Sequence, residues 1–505
     1  MSSSPPSGYA DWKAPDDDGQ ILIWPDASTL LRETRENQRR LASADALIQN
    51  TPLRELRKRQ RQWIGHTADD QALIATGHQT ELYHPGVWVK DVLTNAIAGR
   101  LGAEPWRFAV DSDAPKHLHL RWPGGSMPIT DDDRLTSAAW TGMLDGPSPA
   151  HLDQIESAIR DAGREWDFVP ALYDLLAQFR RLAIEQPPLA ASLTNAIHQL
   201  DWGLGLRQHA LLMSPVWTCE PYLVFVHHLL ANADRFARQY NAALADYRRQ
   251  QGIHSPGRPM PDLHVSADQA EAPFWLDDVS NESRVRLLLQ RHGETWTIQA
   301  PQDGNAFVLD DRAQGFSAAG ALLAFLRAHD LRLAPRALTL TLFFRLLLAD
   351  QFVHGIGGGR YDQVTDRLIA SHFGIEPPRF SVTTATLYFP AARGQRRISL
   401  RPLLQEGRRL RHGSFSREKR DLVQRIATLP RRSEQRRELF FQMHARLAQQ
   451  RAEPGIQAWS ARLEEATREQ LRQKAVFDRE LFFAIQPEDR LREMISRYDA
   501  AVASA

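Results

Sequence analysis

The chain has 505 residues, a formal net charge of +1 and one cysteine, Cys219. That length allows one large core with insertions, or two to three domains; a single thiol excludes an intramolecular disulfide and a multi-cysteine metal site and points to a reducing, cytoplasmic home. The longest apolar stretch, 338–353, is broken by Arg345 and Asp350 and falls short of the roughly 20 apolar residues that a membrane helix needs, so no membrane partner is expected.

Residues 1–18 are rich in Ser, Pro and Asp and lack the basic start and apolar core of a signal peptide, so they read as a loose tail. The first part of a core is expected over 19–150. Ile21–Trp24 reads as a short strand, and Leu, Ala and Ile recur at helical spacing from Ala27 to about Ile64. The apolar run Ala72–Thr76 ends in Thr76-Gly77-His78-Gln79, and Pro85-Gly86 opens a helical pattern from Val87 to about Leu101. Trp106–Val110 reads as the next strand, ending in Asp111-Ser112-Asp113. The order from Ala72 onward is therefore β, α, β, as a parallel sheet requires.

A helical insertion is expected over 151–262, with breaks at Pro170, Pro187-Pro188 and Pro215, closed by the Pro/Gly cluster 255–261. Short alternating segments, Val285–Gln290 and Thr295–Gln299, predict a small antiparallel part within a second insertion, 263–335, where helix returns at Ala318–Ala328. The core is expected to resume over 336–397: Leu338–Leu340 as a buried strand, Phe343–Val353 as a helix leading into a glycine loop, a second helix over Tyr361–Phe373, and Phe380–Phe389 as a strand. Residues 398–505 are polar and helix-forming, and their apolar spacing suits a long hairpin or coiled coil, although Pro430 and Pro454 interrupt any continuous register. The fold class expected is thus α/β, a Rossmann-like parallel-sheet core with helical and small β insertions and a C-terminal helical hairpin. No internal repeat, EF-hand loop, Walker A loop or nucleophile elbow is present.

Two clusters carry chemistry. In the first, the strand–loop–helix junction at Gly77, His78 and Gln79 would present free N–H groups and a helix N-terminus to a phosphate or carboxylate. Lys90, one turn into that helix, would face the same anion or solvent. His84-Pro85-Gly86-Val87 is similar to the His-x-Gly-His signature of class I nucleotidyl-transferring enzymes, with Val87 in place of the second histidine. Asp111 and Asp113, with His117 and His119, follow the next strand, beyond whose carboxyl end ligands lie in open parallel sheets. A bland reading of the two histidines is that they cap and pack a tight loop, and a bland reading of the acidic segment is a solvated loop. Its spacing matches no strong metal signature.

The second cluster is His354-Gly355-Ile356-Gly357-Gly358-Gly359-Arg360-Tyr361-Asp362. Glycines at 357, 358 and 359 let backbone approach a ligand, Arg360 offers a fork for a carboxylate or phosphate, and Asp362 would cap the following helix or bind an amine. The alternative, a tight turn between packed helices, needs one glycine rather than four.

Taken together, the clusters resemble the bacillithiol-biosynthesis cysteine-adding family. Its members have a Thr-Gly-Gln-Gln-x-x-Leu-x-x-Gly-Pro loop entering a lysine-bearing helix, similar to Thr76-Gly77-His78-Gln79 through Lys90. They also have a strand ending in an acidic/His segment, similar to Asp111–His117, and a late Gly-Gly-x-Gly-Glu loop to which Ile356–Asp362 is similar. The ending Phe482-Phe483-Ala484-Ile485-Gln486-Pro487 through Leu491 is similar to the family's close. The resemblance spreads over most of the chain in order and spacing more than in identity. It implies a Rossmann-like core, a C-terminal coiled coil supporting a homodimer, and a ligase-like reaction joining an amino acid to an amine on a small-molecule substrate.

Departures bear on the substrate: His78 stands where the family has Gln, His84 has no counterpart, and Arg360-Tyr361-Asp362 replaces a Glu-containing run. In the leading reading His78, His84 and Asp111 serve catalysis, while Gly77, Gln79, Lys90, Asp113, Gly357, Gly358, Gly359, Arg360 and Asp362 bind substrate. No motif specifies a cofactor, and ATP or another nucleotide is compatible with the scheme. A second reading is a nucleic-acid binder using the basic stretch Arg408–Arg451; bases outnumber acids roughly two to one over 401–474, but aromatics are few, and a solvated helical face explains the charge better. A non-catalytic dimeric scaffold is the third.

Overall fold

In the computed structural model, which describes residues 12–504 apart from 69, 183–184, 311, 396, 414–415 and 452–453, strand β1 (Ile21–Trp24) leads into α1 (Ala27–Ala42). Asp26 caps α1 by accepting from the Thr29 N–H. A two-rung hairpin, β2 (Leu47–Ile48) and β3 (Thr51–Pro52), precedes α2 (Leu53–Trp63). Then come β4 (Leu73–Gln79), α3 (Pro85–Leu101) and β5 (Glu104–Val110), the expected β, α, β order. Proline at the start of α3 and Gly102 in the left-handed region at its end fix both boundaries.

After the hairpin β6 (His119–Trp122) and β7 (Gly125–Pro128) come α4 (Pro149–Ala162), α5 (Leu172–Leu182) and α6 (Leu189–Leu204), then β8 (His209–Leu212), α7 (Glu220–Ala231) and α8 (Ala233–Gln251). The span expected as a helical insertion also contributes a strand to the main sheet, and β8 pairs in parallel with β5, Trp106 opposite His209.

A five-stranded antiparallel sheet follows. Its strands are β9 (Gln269–Asp278), β10 (Ser283–His292), β11 (Thr295–Gln299), β12 (Ala306–Leu309) and, beyond α9 (Gly315–Ala328), β13 (Leu331–Pro335), in spatial order β12-β11-β10-β9-β13. Leu338–Leu340, expected as a strand, lies instead in α10 (Ala337–Phe343), and the expected helix 343–353 divides into a π-helical turn, Phe344–Leu348, and strand β14 (Gln351–His354). Apolar runs this short do not distinguish helix from strand by periodicity. Next come α11 (Ile356–Leu368) and β15 (Ser381–Ala385).

The main sheet runs β1-β15-β14-β4-β5-β8. All neighbours in it are parallel except β1, which pairs antiparallel with β15, Ile21 opposite Ala385. Successive residues of β5 show that both faces are covered, because adjacent side chains on a strand point to opposite faces. Arg107 meets Asp91 of α3, while Phe108 stacks on Phe344 of the π turn at 5.0 Å.

The chain divides into two units, residues 1–387 with 479–505 and residues 388–478. In the smaller unit α12 (Arg401–Gly413), α13 (Ser416–Thr428), α14 (Glu434–Arg451) and α15 (Pro454–Lys474) replace the expected long hairpin by four shorter helices. Trp459 of α15 donates to the Leu403 carbonyl at 2.6 Å, and Arg462 pairs with Glu406. The last helix, α16 (Glu488–Ala503), belongs to the larger unit: Tyr498 shares a 2.6 Å hydrogen bond with Thr383 of β15, and Phe483 stacks on Trp88 of α3 at 5.2 Å. Residues 12–18, expected as part of a loose tail, are likewise seated, with Trp12 fully buried against Phe380 and Val382. No helix among the described residues is long and apolar enough to cross a membrane.

Candidate active site

The parallel strands are laid down outward from β4 to β5 to β8, after which the chain crosses to β14 on the other flank of β4. The crevice at the carboxyl ends of β4 and β14 is therefore where the winding reverses, the position at which open α/β sheets bind ligands. Val353 lies opposite Thr76 and His354 opposite Val382. Two sequence segments 277 residues apart are thus adjacent at that edge.

The first segment does not form the open loop expected. Gly77, His78 and Gln79 are the last rungs of β4, opposite Phe108, Ala109 and Val110. Thr80 and Leu82 donate to the carbonyls of Val110 and His117. At the start of α3 Pro85 has no N–H, Gly86 donates to His84 Nδ1 at 3.1 Å, and Val87 and Trp88 donate to the His84 carbonyl. His84 is the helix cap, with its Nε2 3.4 Å from Glu480; burial pulls its pKa down, while Glu480 opposes.

Glycine at 86 has a steric cause. A Cβ there would stand 2.7 Å from Thr384 Oγ1 and 2.8 Å from the Ala385 carbonyl. Gly86→Ala is expected to cost about 1–3 kcal/mol by forcing α3 off β15, read as a lower urea midpoint, whereas Gly99→Ala, where nothing lies within 4 Å, should be neutral or slightly stabilising.

Lys90 projects back under the crevice. It is 5 % exposed, donates from Nζ to the Gly77 carbonyl at 2.8 Å, and its Cδ lies 3.9 Å from where a Cβ at Gly355 would be. Burial pushes its pKa down to about 8, with Asp91 and Glu81 opposing. His78 Nε2 lies 2.8 Å from Glu81 Oε1. Burial first, and then the Lys90 ammonium, push the imidazole down to about 4 against the pull of Glu81. A neutral His78 that donates from Nε2 to Glu81 keeps Nδ1 as a proton acceptor.

The second segment is a helix start rather than a loop. Gly355 is the N-cap of α11 without a side-chain cap, and the first helical bond is Gly359 N–H to the Gly355 carbonyl at 3.0 Å. The N–H groups of Ile356, Gly357 and Gly358 consequently have no intrahelical partner, and Gly357 and Gly358 are exposed. Gly359 is buried for packing: a Cβ would meet Val382 at 2.4 Å and the Trp12 ring at 2.9 Å.

The remaining expected residues are occupied within the protein. Arg360 donates to the Trp12 carbonyl at 2.6 Å. Asp362, 1 % exposed, accepts from Arg345 at 2.7 Å and lies 2.9 Å from His354 Nε2. Burial opposes its ionisation, but the Arg345 guanidinium and the hydrogen bond to His354 hold its carboxyl far below the usual range. Asp111 accepts from the Ser214 N–H and hydroxyl at 2.9 and 2.6 Å, and Asp113 accepts from Gln79 Nε2. Among the described residues no group of three or more His, Cys, Asp or Glu side chains is placed to hold a metal ion.

Sequence reasoning missed a buried network beside His78. Arg107 donates to Tyr83 Oη at 2.7 Å and to Asp201 at 3.1 Å, and Asp201 also accepts from Trp88 Nε1 at 2.9 Å. His78 stands edge-on to Tyr83. A cavity of ≈ 20 Å³ lies among His78, Glu81, Tyr83 and Arg107, room for about one water, so a substrate must approach from the strand ends. A charged residue in the middle of an apolar strand, as Arg107 is, was the available signal. No protein-family model matches the chain, and no curated protein is significantly similar to it in sequence.

Proposed function

We propose that this chain is a carbon–nitrogen bond-forming enzyme of the ligase type, related to the bacillithiol-biosynthesis cysteine-adding enzymes, acting at the crevice between β4 and β14. The observation that carries the reading is the approach of Lys90, whose charge also bears on His78, to Gly355 at the uncapped start of α11, at the reversal point of the parallel sheet. The parallel order β8-β5-β4-β14-β15 corresponds to the 3-2-1-4-5 order of doubly wound sheets and supports a Rossmann-like core.

In this reading the free N–H groups of Ile356, Gly357 and Gly358 receive a carboxylate or phosphate, and the Lys90 ammonium neutralises it. An anion beside Lys90 removes part of the field that depresses His78, so substrate binding itself raises the basicity of Nδ1. His78 then accepts the proton that the attacking amine loses as it bonds to the acyl carbon of an activated donor, an acyl phosphate or acyl adenylate; the acyl–oxygen bond breaks and the phosphate-bearing group leaves with its electron pair, held by the α11 N–H groups and Lys90. Positioning does the rest: Glu81 fixes the imidazole, and the Gly77 carbonyl fixes Lys90. His84 and Asp362 act here through geometry, as helix cap and ion-pair partner, rather than on the substrate.

The expected homodimer is part of the proposal. Phe440, Phe441 and Leu471 of the smaller unit are 48 %, 62 % and 63 % exposed, large apolar side chains that a second copy would cover.

The test is a thermal-shift screen of nucleotides, amino acids and sugar-amine conjugates, in which a ligand at one hundred times its Kd stabilises by about 2.7 kcal/mol. Stabilisation of the wild type and not of a Lys90→Met, His78→Ala variant supports the site. Equal shifts in both, or a shift only with RNA that falls steeply with salt, would overturn the ligase reading.

A further inference from the structure

We propose a second anion site, in the cleft between α1 and the last turn of α3, that takes a small molecule carrying two or more phosphate groups. The cleft encloses ≈ 670 Å³, and four guanidinium groups line it, Arg32, Arg35, Arg39 and Arg100, together with Ser28 and Gln38. Positions 28, 32, 35 and 39 recur at three- and four-residue intervals and so lie along one face of α1. Arg100 comes from the opposite wall.

No carboxylate lines the cleft. Arg39 is partly neutralised by Glu36 at 2.5 Å, and Arg32 reaches the Thr29 hydroxyl at 3.4 Å and acts on the neighbouring Glu33 without forming an ion pair among the described residues. Arg35 and Arg100 have no carboxylate partner among the described residues. Unpaired like charges facing one cavity repel, and a planar fork on each suits the paired oxygens of a phosphate. A single carboxylate would leave most of this charge uncompensated, whereas a diphosphate brings the several negative charges that four guanidinium groups call for.

The site is separate from the crevice already described. Arg100 is 15 residues along α3 from Pro85, about 22 Å at 1.5 Å per residue, at the amino-terminal end of the strands. A ligand there touches neither Lys90 nor His78.

Binding is measured on the full chain by titrating inorganic pyrophosphate at low ionic strength, in a Lys90→Met background so that only the cleft is read. Saturable binding that weakens about tenfold or more on adding Arg35→Ala and Arg100→Ala is the expected result. These side chains are exposed, so an unchanged melting temperature verifies the fold. Absence of pyrophosphate binding, equal binding by the Arg35→Ala, Arg100→Ala protein, or binding of a short RNA without pyrophosphate would each overturn the proposal.

Discussion

Replacing Asp350 by alanine is expected to destabilise the larger unit by about 3–5 kcal/mol, the largest loss from any single substitution considered. Its carboxylate is 2 % exposed and accepts from Arg57 at 2.6 Å, from Arg61 at 2.7 Å and from the Leu73 N–H at 2.8 Å. The two guanidinium groups also hold the carbonyls of Leu346, Leu348 and Ala349 at the π turn. Deleting the anion leaves two buried cations facing each other. The measurement is urea unfolding followed by tryptophan fluorescence. Exchanging Arg57, Arg61 and Asp350 together for apolar residues should cost far less than Asp350→Ala alone, because it removes the charges rather than stranding them.

The same aspartate sets a pH dependence. Burial would raise its pKa, but Arg57 and Arg61 outweigh that and hold it below the usual 3.8. A depressed folded pKa means that the unfolded chain binds the proton first as pH falls, so the stabilisation is complete above about pH 4 and is lost as pH drops through the lower folded value. Asp362 adds a contribution of the same sign. The acid limb of the wild-type unfolding curve should flatten in Asp350→Ala.

The second large effect is on activity. Lys90→Met should lower amide formation by about 100-fold or more, the scale of losing one preorganised charge beside a reacting anion, while leaving the protein as stable or more stable by about 1–3 kcal/mol at pH 7. Lys90 has a folded pKa of about 8 against an ordinary 10.5. Both states are protonated below pH 8, where the cost of the buried charge is full; between about 8 and 10.5 the unfolded chain holds a proton that the folded chain has released, so wild-type stability rises with pH. The variant should lose that rise. Wild-type activity should fall as pH climbs through about 8, and the His78 titration, followed by NMR, should move upward in the variant. A variant that loses stability together with activity, or that keeps its activity, would reject the assignment.

The segments that could be read from the chain were those whose signal is local. β4, α3 and β5 declare themselves by an apolar run, a Pro-Gly helix start and a second apolar run, and both chemical clusters stood at the same edge because parallel strands place their carboxyl ends together. β8 was not legible: four residues between helices, His209–Leu212, carry no alternation and become a strand only because β5 offers an unpaired edge. The glycines at 357–359 looked like a loop because glycine is rare inside helices, yet they form the first turn of α11, where Gly359 sits against Trp12 and Val382 and Gly358 against His354. Asp362 and Arg360 looked like ligand groups because their partners, Arg345 and the Trp12 carbonyl, come from other parts of the fold. Arg345 stood out only as an interruption of an apolar run. A buried ion pair, 1 % exposed on its arginine side, was its meaning, and the second half of such a pair cannot be found by spacing.

The larger unit is closed by residues that come after the smaller one. Phe483 and Tyr498 complete the packing over Trp88 of α3 and Thr383 of β15, so during synthesis these two elements wait without that cover while some 90 residues of the helical unit are made. At ribosomal speeds of about 5–20 residues per second that interval lasts on the order of ten seconds. The helical unit, whose first and last helices meet through Trp459–Leu403 and Arg462–Glu406, is made entirely within that interval; the larger unit, begun earlier, is finished last, and the aromatic surface around Trp88 is where a holding chaperone would act during that wait.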